Sequence, residues 1–378
     1  MGYQGWFGCP GDGTQRGWVH WFRGSQPPSI SNFTIDLWPD QSELSSSERC
    51  ATGLPLPSGQ EATLFSSANA EVVARHFQWM RQYDIDGAAL MRFATQLSNK
   101  VQLEGINKVL RNVRTAAEAE RRGFFIMYDL SGPTSEQLLE SIQADWLRLT
   151  EERTTSSAAY IHHKGKPVVA LWGIGFSHVK LGAADARRLV DFFKSQHVTV
   201  LGGVPTYWRT LERDARPEPE WKSVYTSLDV LSPWTVGRFR SPNDAAGFGQ
   251  AVMAPDMTAA RRGGQDYMPV VFPGFSWFNL RQGKSPLDQI PRQCGAFYQA
   301  QVHSALKSGA DMLFTAMFDE ADEGTAIFKL EQDPLKLPAG ANLLVPDRGS
   351  GCRGGNDLYL KLAGEATRAI RAAARNRP

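Results

Sequence analysis

Four carboxylates lie within five consecutive positions near the carboxyl end of the chain: Asp319, Glu320, Asp322 and Glu323. They directly follow an apolar run, residues 312–318, that is typical of a buried strand. A turn after this strand brings Glu320 and Glu323 into one small volume, whereas a continuing strand would point them to opposite faces. Paired carboxylates suit glycoside cleavage, because one protonates the departing oxygen while the other stabilises or attacks the anomeric carbon. Mutual repulsion and partial desolvation raise the pKa of at least one acid, which keeps a proton donor available near neutral pH.

The same acidic cluster has two non-catalytic interpretations, a solvated turn and a calcium-binding loop. An EF-hand loop is excluded, because its alternating Asp or Asn residues followed by Gly and a distant Glu are not present. A solvated turn is common for a run of charges, but it is less common directly after a buried strand. The position of the cluster therefore favours a catalytic role.

Short apolar or β-branched runs alternate with amphipathic helical patterns along the chain, which predicts βα units and a parallel sheet. Strands are predicted over residues 3–7, 87–93, 123–130, 167–172, 199–203, 230–233, 268–273 and 312–318. Helices are predicted over residues 70–83, 97–121, 135–151, 183–196, 245–261, 294–308 and 357–375, and the pattern over 213–228 is the weakest.

Eight strands alternating with helices over this length predict an α/β fold, a (β/α)₈ TIM barrel formed by a single domain over residues 1–378. Residues 22–69 are predicted to be an insertion after the first strand that supplies part of a binding cleft, with 42–67 as a surface loop. A doubly wound open sheet is the competing architecture. Its phosphate-binding glycine signature is missing, since Gly173 and Gly175 are followed by His178 where the third glycine should stand.

The composition excludes several classes of partner. The 41 basic and 39 acidic residues leave a net charge of +2, which does not favour nucleic acid or an anionic membrane. A transmembrane helix is excluded, because no run of 18 or more apolar residues occurs. No signal peptide is visible, so we expect a secreted or periplasmic protein if a leader has been removed and a cytoplasmic protein otherwise.

The cysteines and histidines do not predict a metal site. Four cysteines, Cys9, Cys50, Cys294 and Cys352, lack the short paired spacings of zinc ligands. One or two disulfide bridges stay open, and Cys9–Cys50 is one plausible pairing. The metalloprotease motif His-Glu-x-x-His and the serine hydrolase motif Gly-x-Ser-x-Gly are both absent. We therefore predict neither a metal nor a cofactor.

The active site of a barrel is built from residues at the carboxyl ends of its strands. The polar and aromatic residues predicted there are His20, Trp21, Arg92, Asp129, Trp172, Tyr207, Trp208, Trp234 and Trp277. Three other interpretations remain open: Arg92 and Asp129 can form a structural ion pair, His20 can be a packed residue, and any single tryptophan can fill the core.

The block Glu320-x-x-Glu323-Gly324-Thr325 resembles the catalytic motif of glycoside hydrolase family 99, which comprises endo-α-mannosidases and endo-α-mannanases. The amino-terminal run 3–10, rich in aromatic residues, and the pair at positions 20–21 resemble the opening strand and the His-Trp pair of that family. The sequence departs from the family at 321–322, where Ala-Asp stands in place of Trp-His.

The resemblance implies a retaining, endo-acting enzyme that cleaves an α-linked, mannoside-like oligo- or polysaccharide and needs no cofactor. It implies that Glu323 is the general acid/base, and that Glu320 is a base that helps the 2-hydroxyl of the sugar close onto the anomeric carbon. It also implies sugar binding by His20 and a substrate contact by Asp322. Two alternatives stay open, a non-catalytic carbohydrate-binding protein on the same scaffold and an inverting glycosidase with a different sugar specificity. The oligomeric state is not indicated.

Overall fold

Parallel strands alternate with helices in the computed structural model, which describes residues 1–24, 26–132, 136–348, 352 and 354–375. The strands are β1 (Gly2–Tyr3), β2 (Cys50–Pro55), β3 (Glu61–Leu64), β4 (Gly87–Phe93), β5 (Gly123–Asp129), β6 (His162–His163), β7 (Lys166–Trp172), β8 (Thr199–Pro205), β9 (Val230–Trp234), β10 (Asp266–Tyr267), β11 (Val270–Val271) and β12 (Phe314–Thr315). The helices are α1 (Ala70–Gln82), α2 (Lys100–Glu120), α3 (Glu136–Glu151), α4 (Ala183–Ser195), α5 (Trp221–Ser227), α6 (Pro242–Phe248), α7 (Ala254–Arg262), α8 (Ala296–Lys307) and α9 (Leu358–Arg375).

The parallel strands form a closed barrel. β1, β4, β5, β7, β8, β9 and β10 pair in that order, and β11 pairs with β12. Two backbone hydrogen bonds complete the ring: the N–H of Phe314 donates to the carbonyl of Pro269, and the N–H of Phe318 donates to the carbonyl of Gly2, each at 2.8 Å. With β10 and β11 sharing the seventh position, the described residues form eight barrel positions. The predicted (β/α)₈ fold is therefore confirmed.

Several predicted elements differ from the structure at their ends. The first, seventh and eighth strands are shorter than predicted, because the chain leaves the ladder early and continues as loops over the barrel mouth. The predicted helix 245–261 is two helices, α6 and α7, joined by one π-helical turn, Gly249–Met253. The predicted start of the third helix, Ser135, lies outside the described residues.

The predicted surface loop 42–67 is wrong in part, because it contains the hairpin of β2 and β3. Alternate residues of β2 are buried, and Gly59 adopts φ +83° in the connection between the two strands. Disulfide Cys9–Cys50 joins this hairpin to the loop after β1, with the Cα atoms 6.4 Å apart, as the sequence predicted. Another part of the insertion lies beside the carboxylate cluster 319–323, since the N–H of Asp36 donates to the carbonyl of Ala321.

Local sequence explains why the helices form where they do. The side chain of Asn99 accepts from the N–H of Gln102 and caps α2, and Asn69 caps α1 in the same way. Helices α1 and α2 each bury several apolar side chains, while β8 is buried over its whole length, as expected for a parallel strand covered by helices. Among the described residues, no helix is both long enough and apolar enough to cross a membrane.

Candidate active site at the carboxyl end of the barrel

A cavity of about 430 Å³ opens at the carboxyl ends of the barrel strands. The residues that line it include Gln4, Trp6, Met91, Phe93, Met127, Asp129, Trp172, His178, Trp234, Arg238, Phe275, Trp277, Gln289, Glu320 and Glu323. A larger and more open depression of about 770 Å³ lies on the outside, between α1, α2 and the insertion. Its one carboxylate, Asp12, accepts hydrogen bonds from Thr14 and Ser66, so the reactive groups concentrate in the smaller cavity.

The acidic turn, residues 319–325, is attached to the start of the barrel. Asp319 is fully buried, and its two carboxylate oxygens accept the backbone N–H groups of Gln4 at 2.7 Å and Gly5 at 2.9 Å. These bonds join the last strand to the residues after the first, and they oppose the effect of burial, which raises the pKa of Asp319 to about 7. Asp319 is therefore a structural residue that holds the turn at the closure point of the barrel.

Glu320 is buried and held by two donors. One oxygen accepts from Nε2 of Gln4 at 2.7 Å, and the other accepts from the hydroxyl of Thr325 at 2.8 Å. The carboxyl group is therefore fixed in orientation by side chains from both ends of the barrel sheet. The final threonine of the Glu-x-x-Glu-Gly-Thr block has a direct role, since it orients the first glutamate of the block.

Glu323 lines the cavity, and its backbone lies against the loop that follows β11. The carbonyl of Glu323 accepts the N–H of Ser276 at 2.9 Å. Gly324 follows with φ +65°, and a Cβ atom there would lie 2.6 Å from the backbone nitrogen of Ser276. Only glycine fits this position, because it combines a left-handed conformation with a close backbone approach.

The electrostatics of the turn follow from burial and mutual repulsion. Burial raises the pKa of Glu323 to about 7, and repulsion from Asp322 and Asp129 adds to the effect. Burial and the neighbouring Glu323 and Asp322 also raise the pKa of Glu320, while the bonds from Thr325 and Gln4 oppose the rise. Because the two carboxyl groups repel each other when both are ionised, the titration of one depends on the charge of the other.

Asp129 at the end of β5 adds another carboxyl group to the cavity. Burial raises its pKa to about 6, although the N–H of Ser131 donates to it at 2.7 Å. The interpretation in which Arg92 pairs with Asp129 is wrong. Arg92 instead donates to both oxygens of Asp145 on α3, at 2.9 and 2.6 Å.

His20 and Asp322 meet beside the cavity. Nδ1 of His20 lies 3.4 Å from a carboxylate oxygen of Asp322, and the imidazole stacks on the indole of Trp6 at 3.9 Å between ring centroids. Trp6 stacks in turn on Phe93 at 5.4 Å. The three rings form a column along one side of the cavity, next to the residue where this sequence departs from the family pattern.

Aromatic rings form most of the remaining wall. Trp172 and Trp234 meet edge to face at 5.5 Å, and Phe275 meets Trp277 in the same way at 5.0 Å. The indole N–H groups of Trp6, Trp172 and Trp277 have no hydrogen-bond acceptor among the described residues. Buried donors normally have a partner, so these groups indicate a place where a ligand or water oxygen completes the site.

Six predicted substrate contacts do not line the cavity: His20 and Asp322, which meet beside it, and Trp21, Arg92, Tyr207 and Trp208. Trp21 is fully buried and its indole donates to the carbonyl of Phe65, so it belongs to the core. Arg92 is fully buried on the outer face of β4. Tyr207 packs under the guanidinium of Arg213, and Trp208 is buried outside the cavity.

The sequence interpretation missed Gln4 and Trp6, which precede the predicted contact His20. Gln4 holds Glu320, and Trp6 lines the cavity. The sequence contained a signal for both, because the polar Gln4 and the aromatic Trp6 lie within the predicted first strand, close to its carboxyl end. The insertion does not line the cavity, in contrast to the prediction for 22–69. It acts indirectly, because Asp36 accepts the N–H groups of Phe278 and Asn279, directly after Trp277.

Within the described ranges, no group of three or more His, Cys, Asp or Glu side chains is arranged to hold a metal ion. His162 and His163 lie in β6 at the opposite end of the barrel, where Nε2 of His163 is 3.0 Å from Asp266.

No protein-family model and no curated protein sequence matches the chain. Among solved structures, it resembles two of the GH99 endo-α-mannosidase from Bacteroides thetaiotaomicron. One has a TM-score of 0.70 at 14% identity, with 98% of this chain and 96% of that chain covered. The other, in complex with BIS-TRIS-propane, has a TM-score of 0.69 at 15% identity, with 99% and 97% covered. A glycoside hydrolase-like protein is also similar, with a TM-score of 0.54 at 12% identity and coverage of 92% and 98%. The chain therefore has the fold of the GH99 endo-α-mannosidase structures, which confirms the resemblance inferred from the acidic turn at the level of fold.

Proposed function

We propose that the chain is a retaining, endo-acting glycoside hydrolase that cleaves an α-linked, mannoside-like glycan in the cavity at the barrel mouth. The observation that carries the proposal is the coupled pair Glu320 and Glu323, buried at the carboxyl end of the last strand with raised pKa values. The fold shared with the GH99 endo-α-mannosidase structures supports it. The chemistry needs no cofactor.

The hydrogen bonds distinguish the two glutamates. Gln4 and Thr325 both donate to Glu320, and such donors favour the ionised form of a carboxyl group. No described side chain donates to Glu323, which burial keeps protonated up to a pKa of about 7. Burial raises the pKa of Glu320 as well, but only Glu320 has donors that oppose the rise. Because the pKa of Glu320 stays well above its usual value despite these donors, we assign the base to Glu320 and the proton to Glu323 from the resemblance of the motif to that of family 99.

The reaction that the resemblance to family 99 implies for this pair has two steps. In the first step, Glu320 accepts the proton of the sugar 2-hydroxyl while the 2-oxygen of the sugar attacks the anomeric carbon. Glu323 protonates the leaving oxygen of the cleaved bond. The product is a 1,2-anhydro sugar. In the second, Glu323 accepts a proton from a water molecule that attacks the anomeric carbon, and Glu320 returns its proton to the 2-oxygen. Two inversions at one carbon give net retention.

The walls of the cavity supply substrate contacts in this proposal. The rings of Trp172, Trp234 and Trp277 offer flat apolar faces to the C–H faces of sugar rings. His20 and Asp322 bind sugar hydroxyls beside the catalytic pair, and Asp129 does so from the end of β5. A ligand hydroxyl can accept the unpartnered indole N–H groups, which is what a sugar provides and a purely apolar ligand does not.

The test is an NMR time course of the anomer first released from α-linked polysaccharides, oligosaccharides and aryl glycosides. The wild type is compared with Glu323→Gln and with Glu140→Gln, a matched amide substitution at an exposed position of α3. We expect the α-anomer from the wild type and from Glu140→Gln. We expect turnover by Glu323→Gln to fall by roughly 10²–10⁴-fold on substrates with poor leaving groups, the contribution typical of general acid catalysis.

Two results would contradict the proposal in different ways. Release of the inverted anomer would replace the anhydro-sugar route by direct attack of water. Binding of glycans by both proteins without turnover by either would indicate a non-catalytic carbohydrate-binding protein. Titration calorimetry with the same oligosaccharides separates binding from turnover.

A further inference from the structure

One arginine is buried behind the acidic turn without a carboxylate partner. The residue Arg292 is 2% exposed, and in the part of the chain that the structure describes it forms no ion pair with a carboxylate. Burial lowers the pKa of Arg292, and the nearby charges of Asp347 and Asp288 oppose this. Its Nη2 donates to two backbone carbonyls, that of Gly324 at 2.9 Å and that of Ala326 at 2.6 Å. The guanidinium charge is therefore directed at the backbone of the turn.

The surroundings of Arg292 are built to keep it in place. Its guanidinium carbon lies 4.5 Å from the ring centre of Tyr359 on α9, and the Tyr359 hydroxyl donates to Asp347 at 2.6 Å. A Cβ atom on Gly274 would lie 2.6 Å from Cγ of the arginine, so glycine leaves room for the side chain to pass. Asp347 also accepts the backbone N–H of Cys294 at 2.7 Å, two residues after the arginine.

The two carbonyls that Arg292 binds lie on either side of Thr325. The Thr325 hydroxyl orients Glu320, and Gly324 directly follows Glu323. Both catalytic glutamates are thus connected to backbone that the guanidinium holds. The charges of Asp347 and Asp288 offset only part of the cost of burying the guanidinium, because the pKa of Arg292 remains lowered. The hydrogen bonds of its Nη2 both go to the backbone of the turn, which connects the arginine with the geometry of the turn.

We propose that Arg292 is a positioning residue that fixes the separation of the Glu320 and Glu323 carboxyl groups by holding the backbone carbonyls of Gly324 and Ala326. The inference rests on the glycoside hydrolase function proposed above. The α9 helix takes part in the site through Tyr359, although it lies behind the turn and does not line the cavity.

The test is Arg292→Lys in the full chain. Lysine keeps the charge but loses the planar group that stacks on Tyr359 and reaches both carbonyls. We expect kcat to fall by about 100-fold, the effect of a misplacement of ~1 Å, with KM changed by less than about threefold. The matched control is Arg75→Lys, which weakens the ion pair with buried Glu48 away from the cavity. We expect it to lower Tm while leaving kcat unchanged.

A second readout does not depend on activity. Glutamate labelled with ¹³C at the side-chain carboxyl is titrated by NMR, with signals assigned from Glu320→Gln and Glu323→Gln. Two coupled acids titrate with separated apparent pKa values, and the separation shrinks as the acids move apart. We expect Arg292→Lys to bring the two pKa values of the pair closer together and Arg75→Lys to leave them unchanged.

Unchanged pKa separation and kcat in Arg292→Lys would overturn the inference. If that variant does not fold, Tyr359→Leu decides, because it removes the aromatic face under the guanidinium and should produce the same shifts to a smaller extent. A wild type without glycosidase activity would refute the proposed function alone, since the NMR titration still tests whether Arg292 sets the distance between the two acids.

Discussion

Substitution of Gly324 by alanine tests whether the acidic turn requires a close backbone approach. A Cβ atom at this position would lie 2.6 Å from the backbone nitrogen of Ser276, and 2.9 Å from both its Cβ and its carbonyl oxygen. The nearest contact must open by about 0.8 Å to reach 3.4 Å, the lower end of ordinary van der Waals contact. Ser276 cannot move freely, because its hydroxyl donates to buried Asp36 at 2.6 Å. We therefore expect the acidic turn to move away from the loop that contains Ser276.

The expected cost has two parts. An alanine in the left-handed conformation costs roughly 1–2 kcal/mol, and loss of the hydrogen bond from Ser276 to the carbonyl of Glu323 costs about 1 kcal/mol more. We expect a total of roughly 2–3 kcal/mol in the free energy of unfolding. Displacement of Glu323 by most of an ångström should lower kcat by up to about 100-fold.

The assay pairs urea unfolding with steady-state kinetics on the best glycan substrate. The matched control is Gly59→Ala in the hairpin of the insertion, where φ is +83° and no atom lies within 4 Å of the added carbon. The Gly59→Ala variant places an alanine at a positive φ, as Gly324→Ala does, but its Cβ atom meets no neighbouring atom. The reasoning would be refuted if Gly324→Ala lost no more stability than Gly59→Ala and kept the kcat of the wild type.

Three further predictions follow from the site and its supports. The pKa of Glu323 rises from an ordinary value of 4.5 to about 7 on folding, so its ionisation destabilises the folded state progressively as the pH rises from 4.5 to 7. Glu323→Gln should therefore match the wild type in stability at pH 4 and exceed it by up to about 3 kcal/mol at pH 8 in urea unfolding; equal stability at both pH values would contradict this. Trp172→Ala removes a ring from the cavity wall and should raise KM by up to about tenfold with a smaller change in kcat. Steady-state kinetics compare it with Trp208→Phe, a substitution outside the cavity, and an equal KM in the two variants would contradict the prediction. Cys9→Ser breaks the bridge to Cys50 and should lower the free energy of unfolding by about 2–4 kcal/mol, while calorimetry with and without reductant should show that the reductant affects the wild type only.

The sequence alone predicted the barrel, and it located the acidic turn that the structure places at the cavity. Repeated apolar runs separated by amphipathic helices can bury their surfaces only as βα units, and the count of such runs favoured a closed barrel. The acidic turn could be located because four carboxylates directly after an apolar run are unusual wherever they occur. The Cys9–Cys50 bridge was one plausible pairing of the four cysteines, and the structure confirms it.

The tertiary structure decided which strand-end residues face the cavity. Side chains alternate along a strand, so Met91 and Phe93 line the cavity while Arg92 between them points outward to Asp145. The same alternation turns Asp129 inward. Predicting roughly where a strand ends does not tell which of its side chains face the cavity. A shift of one residue in the position of the strand turns every side chain to the opposite face.

Contacts between distant parts of the chain were also beyond the sequence. Gln4 and Glu320 are 316 residues apart and meet because the first and last strands close the barrel. Arg292 holds the acidic turn from behind only because the chain after β11 folds back beside it. Local patterns carry information about elements, whereas the identity of a hydrogen-bond partner depends on how the barrel closes and on which loops cover it.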